Sequence, residues 1–179
     1  MKRNFLIIII VIIIAAVFAF INYSNKGDNY HDHRASNDKG VYTTSDVSHL
    51  KNTSNFLPSA IKHIFFGTVK DGKAEGFHYA NIKNSSSCII SGTESAPNAF
   101  GVFKAKAEID GKVKSDDNGY STFFPNSMSP QKVIDSINEA YSNAQNIHGN
   151  IYVGKAKNGM KIEMYLTSDG KIISAFPKY

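Results

Sequence analysis

The chain has no tryptophan, and its 179 residues include a single cysteine, Cys88. One thiol excludes an intrachain disulfide and any metal site built from several cysteines. Cys88 lies in the run SSSCII (85–90), entering a predicted strand. A small residue there is expected to be buried as an apolar group rather than to act as a nucleophile or redox centre. Arginine is nearly missing as well. From residue 55 onward there is none, against 14 lysines and 11 aspartate and glutamate residues, an excess of three positive charges. That excess suits a polyanionic partner without demanding one. No tandem repeat is evident. What is present is enough for one domain and an appendage: 42% hydrophobic residues, with phenylalanine and tyrosine supplying the aromatic part of a core.

The appendage comes first. Lys2 and Arg3 precede Phe5 to Ile21, seventeen uninterrupted apolar residues. At about 1.5 Å per residue they reach roughly 26 Å, near the lower limit for crossing a bilayer. The leading charges favour an inside N-terminus, so residues 1–21 are expected to form a transmembrane signal-anchor with the remainder outside the cytoplasm. A cleaved secretory signal, giving a secreted domain, is the rival; neither a small-x-small cleavage site nor a lipobox cysteine follows the run. Residues 22–55 are dominated by Asn, Asp, Ser, Lys, Gly and His and read as a polar linker. Within it, Tyr30-His31-Asp32-His33 reads as solvated linker rather than a metal site, since adjacent positions in such a segment rarely converge. Asp46 to Leu50, with His49, is expected to turn into the domain.

Residues 56–179 read as an α+β domain. A helix is predicted over Leu57–Phe65, with Pro58 in its first turn and Leu57, Ile61, Ile64 and Phe65 on one face. Asp71-Gly72 marks a tight hairpin turn. Residues 84–98 are mostly loop. Val102 to Ile109 alternates as a strand, Asp110-Gly111 turns it back through Lys112–Lys114, and the SDDNG stretch is read as a bulge before a strand at Tyr120–Phe124. Ser129 and Pro130 open a helix whose Val133, Ile134, Ile137, Ala140 and Tyr141 recur at helical spacing. Three strands follow, at 150–156, 160–167 and 171–176, joined at Asn158-Gly159 and Asp169-Gly170.

The chemistry centres on His63 and His78, which bracket the first hairpin, so that a ribbon would bring them to one end. Imidazole titrates near neutral pH, so one of a pair can take a proton while the other gives one. RNA cleavage needs such a pair: a base for the 2′-hydroxyl and an acid for the leaving 5′-oxygen. The nucleophile belongs to the substrate, so no metal is obligatory. His63, near the end of its helix, would be favoured in its protonated form there.

The runs HIFFG (63–67) and GKAEGFHYA (72–80), with GYSTFFPNSMSPQKVIDSINEAY (119–141) and DGKIISAFPKY (169–179), resemble the EndoU endoribonuclease family in its bacterial toxin-type branch. The last run is similar to the end of the coronavirus uridylate-specific enzyme of the same superfamily. The resemblance covers roughly residues 56–179 and implies two β-rich halves around a cleft with a few packed helices. It also implies 2′-hydroxyl transesterification to a 2′,3′-cyclic phosphate, with His63 and His78 as the acid–base pair and a lysine on the charged phosphoryl oxygens; within the pair, His78 is assigned as base and His63 as acid. Lys114 is the first candidate for that lysine, then Lys112 and Lys106. Ser121 matches a family serine near the nucleobase. Ser174 and Phe176 match the Thr/Ser-x-Tyr-P element that frames ribose and base, with Phe in place of Tyr. Phenylalanine can still stack but donates no hydrogen bond, which puts strict uridylate preference in doubt. No cofactor is expected to be required, although manganese stimulates some relatives; no carboxylate cluster suited to a metal is seen. The implied partners are RNA, with tRNA a test substrate, the membrane through the N-terminal helix, and a small acidic immunity protein. The domain is expected to be monomeric. The alternative is a catalytically inactive extracytoplasmic binding module that kept the fold.

Overall fold

The computed structural model describes residues 42–179. The apolar run 5–21 and the Tyr30–His33 stretch lie outside the described residues. Among the described residues, no helix is long and apolar enough to cross a membrane.

The order of elements is α1 (Thr44–Ser48), α2 (Pro58–Phe65), β1 (Thr68–Lys70), β2 (Lys73–Glu75), β3 (Cys88–Ile89), β4 (Phe103–Ile109), β5 (Lys112–Val113), β6 (Tyr120–Phe123), α3 (Pro130–Tyr141), β7 (Gln145–His148), β8 (Ile151–Lys155), β9 (Lys161–Leu166) and β10 (Ile172–Pro177). The fold is α+β, with strands in the majority and few helices. Its strands form an antiparallel sheet in the order β10-β9-β8-β7, a second sheet β3-β4-β5 with β6 on the far part of β4, and the β1-β2 hairpin.

Each sheet has its own core. α2 and α3 lay Ile64, Phe65, Val133, Ile134 and Ile137 against Ile162, Met164 and Ile172 of the four-stranded sheet. Phe77, Ile89, Phe103, Ile109 and Phe123 form the second core around β4. α3 forms where the sequence reading put it. Ser129 Oγ accepts the Lys132 N–H at 3.1 Å, Pro130 occupies the first turn, and the apolar positions all face inward. β8 crosses this helix so closely that a Cβ on Gly154 would stand 1.9 Å from the Ala140 carbonyl oxygen. Only glycine admits that approach.

Four details differ from expectation. The turn predicted at 46–50 is the short helix α1, which buries Val47 and belongs to the folded unit, with Tyr42 bridged to Ile82. Asn55 reaches Asn138 of α3 at 2.9 Å, so the polar residues just before the domain serve as side-chain ties to it. The SDDNG stretch is a 3-10 turn, with Asp117, Asn118 and Gly119 in succession at positive φ. β7 is an edge strand with all four residues exposed; lacking a buried face, it has no alternation to reveal it.

Candidate active site

His63 stands in the last turn of α2, where helical geometry leaves carbonyl groups without intrahelical partners. The chain after β2 supplies partners. Phe77 N–H donates to the His63 carbonyl at 2.9 Å, and His78 N–H donates to the Ile64 carbonyl at 2.7 Å. The two histidines are thus joined by a backbone seam rather than by a long ribbon, since the hairpin itself pairs only residues 68–70 with 73–75. The seam requires a tight bend: Gly76 and Phe77 both take positive φ, at 77° and 60°. The imidazole centroids lie 6.4 Å apart with the rings inclined at 49°.

His78 is buried, and its Nδ1 lies 2.9 Å from the Thr122 carbonyl oxygen. A carbonyl can only accept, so Nδ1 carries the hydrogen and the lone pair is on Nε2. Burial, reinforced by the Lys114 ammonium, pushes the His78 pKa down to about 3; the Thr122 hydrogen bond acts the other way. Burial also lowers His63, with Glu75 opposing and Lys114 adding to the shift. Both rings are therefore neutral at pH 7 before any anion arrives. His63 Nδ1 has a long contact, 3.4 Å, to Thr68 Oγ1.

Lys114 follows β5 and donates from Nζ to Ser121 Oγ at 2.8 Å, while Ser121 Oγ donates to the Gly76 carbonyl at 3.1 Å. One serine thus ties the lysine to the bend that holds the histidines. Burial lowers the lysine's pKa, and Asp117, Asp116 and Glu75 act to raise it. Of the other two candidates, Lys112 is exposed on β5 and the Lys106 ammonium lies 5.7 Å from the Tyr120 ring centroid; neither lines the cleft.

The far wall comes from β9 and β10. The Phe176 ring stacks on His78, centroids 4.9 Å apart and inclined by 26°, and Tyr165 stands 6.2 Å beyond it. Ser174 faces Tyr165 in register. His63, His78, Lys114, Ser121, Ser174 and Phe176 all line one cleft of about 840 Å³, a volume suited to a nucleotide-sized ligand. Sequence reading missed Tyr165, Glu75, Lys104 and the two aspartates of the 3-10 turn, which line it too. The Asp169-Gly170 hairpin, which sets Tyr165 opposite Ser174, was the available signal for the first. Among the described residues, no group of three or more His, Cys, Asp or Glu is placed to hold a metal ion.

Residues 58–179 match the model of the bacterial EndoU nuclease family. The chain belongs to that family. The match opens on the first residue of α2, so the EndoU region contains every residue of the cleft just described. A Bacillus cereus protein named "Toxin" is 41% identical over 157 residues, covering 87% of this chain and 28% of that protein. The chain therefore spans less than a third of that relative's length. No solved structure gives a significant match.

Proposed function

We propose that this EndoU domain is an endoribonuclease that cleaves by attack of a 2′-hydroxyl on the adjacent phosphate, leaving a 2′,3′-cyclic phosphate and a 5′-hydroxyl. The observation that carries the reading is the juxtaposition of two imidazoles 6.4 Å apart with a serine-held ammonium in the same cleft. His78, with its lone pair on Nε2, takes the 2′-hydroxyl proton. His63, which is half-buried where His78 is buried, is protonated as the phosphodiester anion binds and gives a proton to the leaving oxygen. Lys114 stabilises the charge that builds on the phosphoryl oxygens. Phe176 covers His78 and keeps water from it; Ser121 and Ser174 line the space for base and ribose. The intact His–His–Lys set supports turnover over the inactive binding module.

The B. cereus relative's name supports a toxin role, and the apolar run 5–21 supports delivery of the domain outside the cytoplasm. A producer cell would then need an immunity partner to block the cleft. Incubating the purified protein with tRNA and mapping the ends tests the chemistry. Cyclic-phosphate and 5′-hydroxyl ends from the wild type, and none from His78→Ala, support the reading. Ends bearing 3′-hydroxyl and 5′-phosphate, or His78→Ala cleaving at the wild-type rate, overturn it.

A further inference from the structure

Beyond the cleft, one surface joins the two β-rich halves and carries aromatic and basic side chains together. Lys104 lines the cleft and pairs across the ladder with Thr122, whose carbonyl holds His78. Its ammonium lies over the ring of Tyr179, 4.9 Å from the centroid. That ring is fixed at its other end, where the hydroxyl donates to the Ala96 carbonyl at 2.9 Å, yet Tyr179 is 50% exposed. An aromatic residue so held loses little further freedom when a ligand stacks on it. On the strand beside it, Lys178 N–H donates to the Lys161 carbonyl at 2.9 Å. Alternation along β9 puts Lys161, Glu163 and Tyr165 on the outer face, running from this patch to the cleft. Glu163 is taken by Lys178 in an ion pair of 2.5 Å, which leaves the Lys104 and Lys161 charges for an anion.

A fixed ring beside cations, contiguous with the cleft, is how proteins hold a single-stranded nucleic acid without reading its sequence. We infer that Tyr179, Lys104 and Lys161 form a secondary subsite that stacks a base and contacts a phosphate of the single-stranded RNA flanking the scissile bond. The inference rests on the endoribonuclease reading for its substrate, and it adds that the enzyme prefers RNA longer than a dinucleotide.

The test compares the full-length wild type with Tyr179→Ala/Lys104→Met and with Tyr179→Phe, using a dinucleotide, a 12-nucleotide single-stranded RNA, and the same 12-mer with 2′-deoxy sugars as an uncleavable ligand. The double variant should lose about 10- to 100-fold in kcat/KM on the 12-mer, the range a stacked base and a phosphate contact provide, and more on the 12-mer than on the dinucleotide. Tyr179→Phe, which keeps the ring, should stay near wild type. In binding of the uncleavable 12-mer, the slope of log affinity against log salt should fall by about 0.7 when Lys104 is removed. Equal 12-mer cleavage and affinity in the double variant and wild type overturns the subsite. If the wild type cleaves neither RNA, the endoribonuclease reading fails, while the uncleavable 12-mer still decides whether the patch binds a strand.

Discussion

Gly76 and His63 are in contact where no side chain fits: a Cβ on Gly76 would stand 2.2 Å from the His63 carbonyl oxygen and 2.8 Å from its Cδ2. With φ at +77°, the position is also strained for any other residue. Gly76→Ala is therefore expected to destabilise the domain by about 2 kcal/mol or more and to displace the His63 ring, so that activity falls in the residual folded protein. Gly72, at φ +75° with nothing within 4 Å of a Cβ, provides the control. Gly72→Asn should remain within about 1 kcal/mol of wild type in urea melts, because asparagine tolerates this region. Equal melts for Gly76→Ala and wild type would show that the bend does not position the pair.

Activity should decline as pH rises. His78 stays unprotonated down to about pH 3, so the base is available across the working range. His63, lowered from 6.5 by burial, must be protonated to act as acid, and fewer free enzyme molecules meet that need as pH climbs. The profile of kcat/KM reports the free enzyme. Its alkaline limb is expected with a midpoint below 6.5 and its acid limb near 3. Phe176→Ala should move the acid limb upward, since removing the stacked ring lets water reach His78. An alkaline midpoint above 7 would exclude His63 as the acid.

Stability has the reverse dependence on pH. The unfolded chain binds a proton on His78 below about 6.5, whereas the folded chain does so only near 3. Between those values the unfolded state holds more protons, so stability drops as the solution is acidified from 6.5 toward 3. His78→Phe should flatten that part of the curve in chemical denaturation followed from pH 7 to 4. A slope unchanged by the substitution would mean that the acid sensitivity arises elsewhere.

Removing Lys114 should cost catalysis more than binding. Lys114→Ala is expected to reduce kcat about 100- to 1,000-fold, as loss of a preorganised oxyanion partner does in other enzymes. Ser121→Ala leaves the charge but removes its anchor, so a smaller loss, about 10-fold, is expected, with Lys114→Arg between the two. A Lys114→Ala enzyme that changes only KM would assign the lysine to substrate binding instead.

The histidine pair was legible because both members lie within sixteen residues, in runs that resemble the EndoU family and on either side of a hairpin signal. The helices were legible for the usual reasons, with proline and serine at the start of α3 and apolar residues at helical spacing behind them. The stacking of Phe176 on His78 was not, because it joins positions from opposite walls of the cleft, nearly a hundred residues apart. No local pattern encodes such a contact. Tyr165 escaped for a related reason: on an alternating strand, a tyrosine on the outer face looks like any half-exposed aromatic until the register brings it opposite Ser174. The backbone seam at Gly76 was hidden behind a glycine that suits many turns equally well.

Cys88, the single cysteine, lies buried in β3. Every covalent bond of the native domain is therefore already present in its extended chain. Folding of the domain involves no intrachain thiol-disulfide exchange, in an oxidising and a reducing compartment alike.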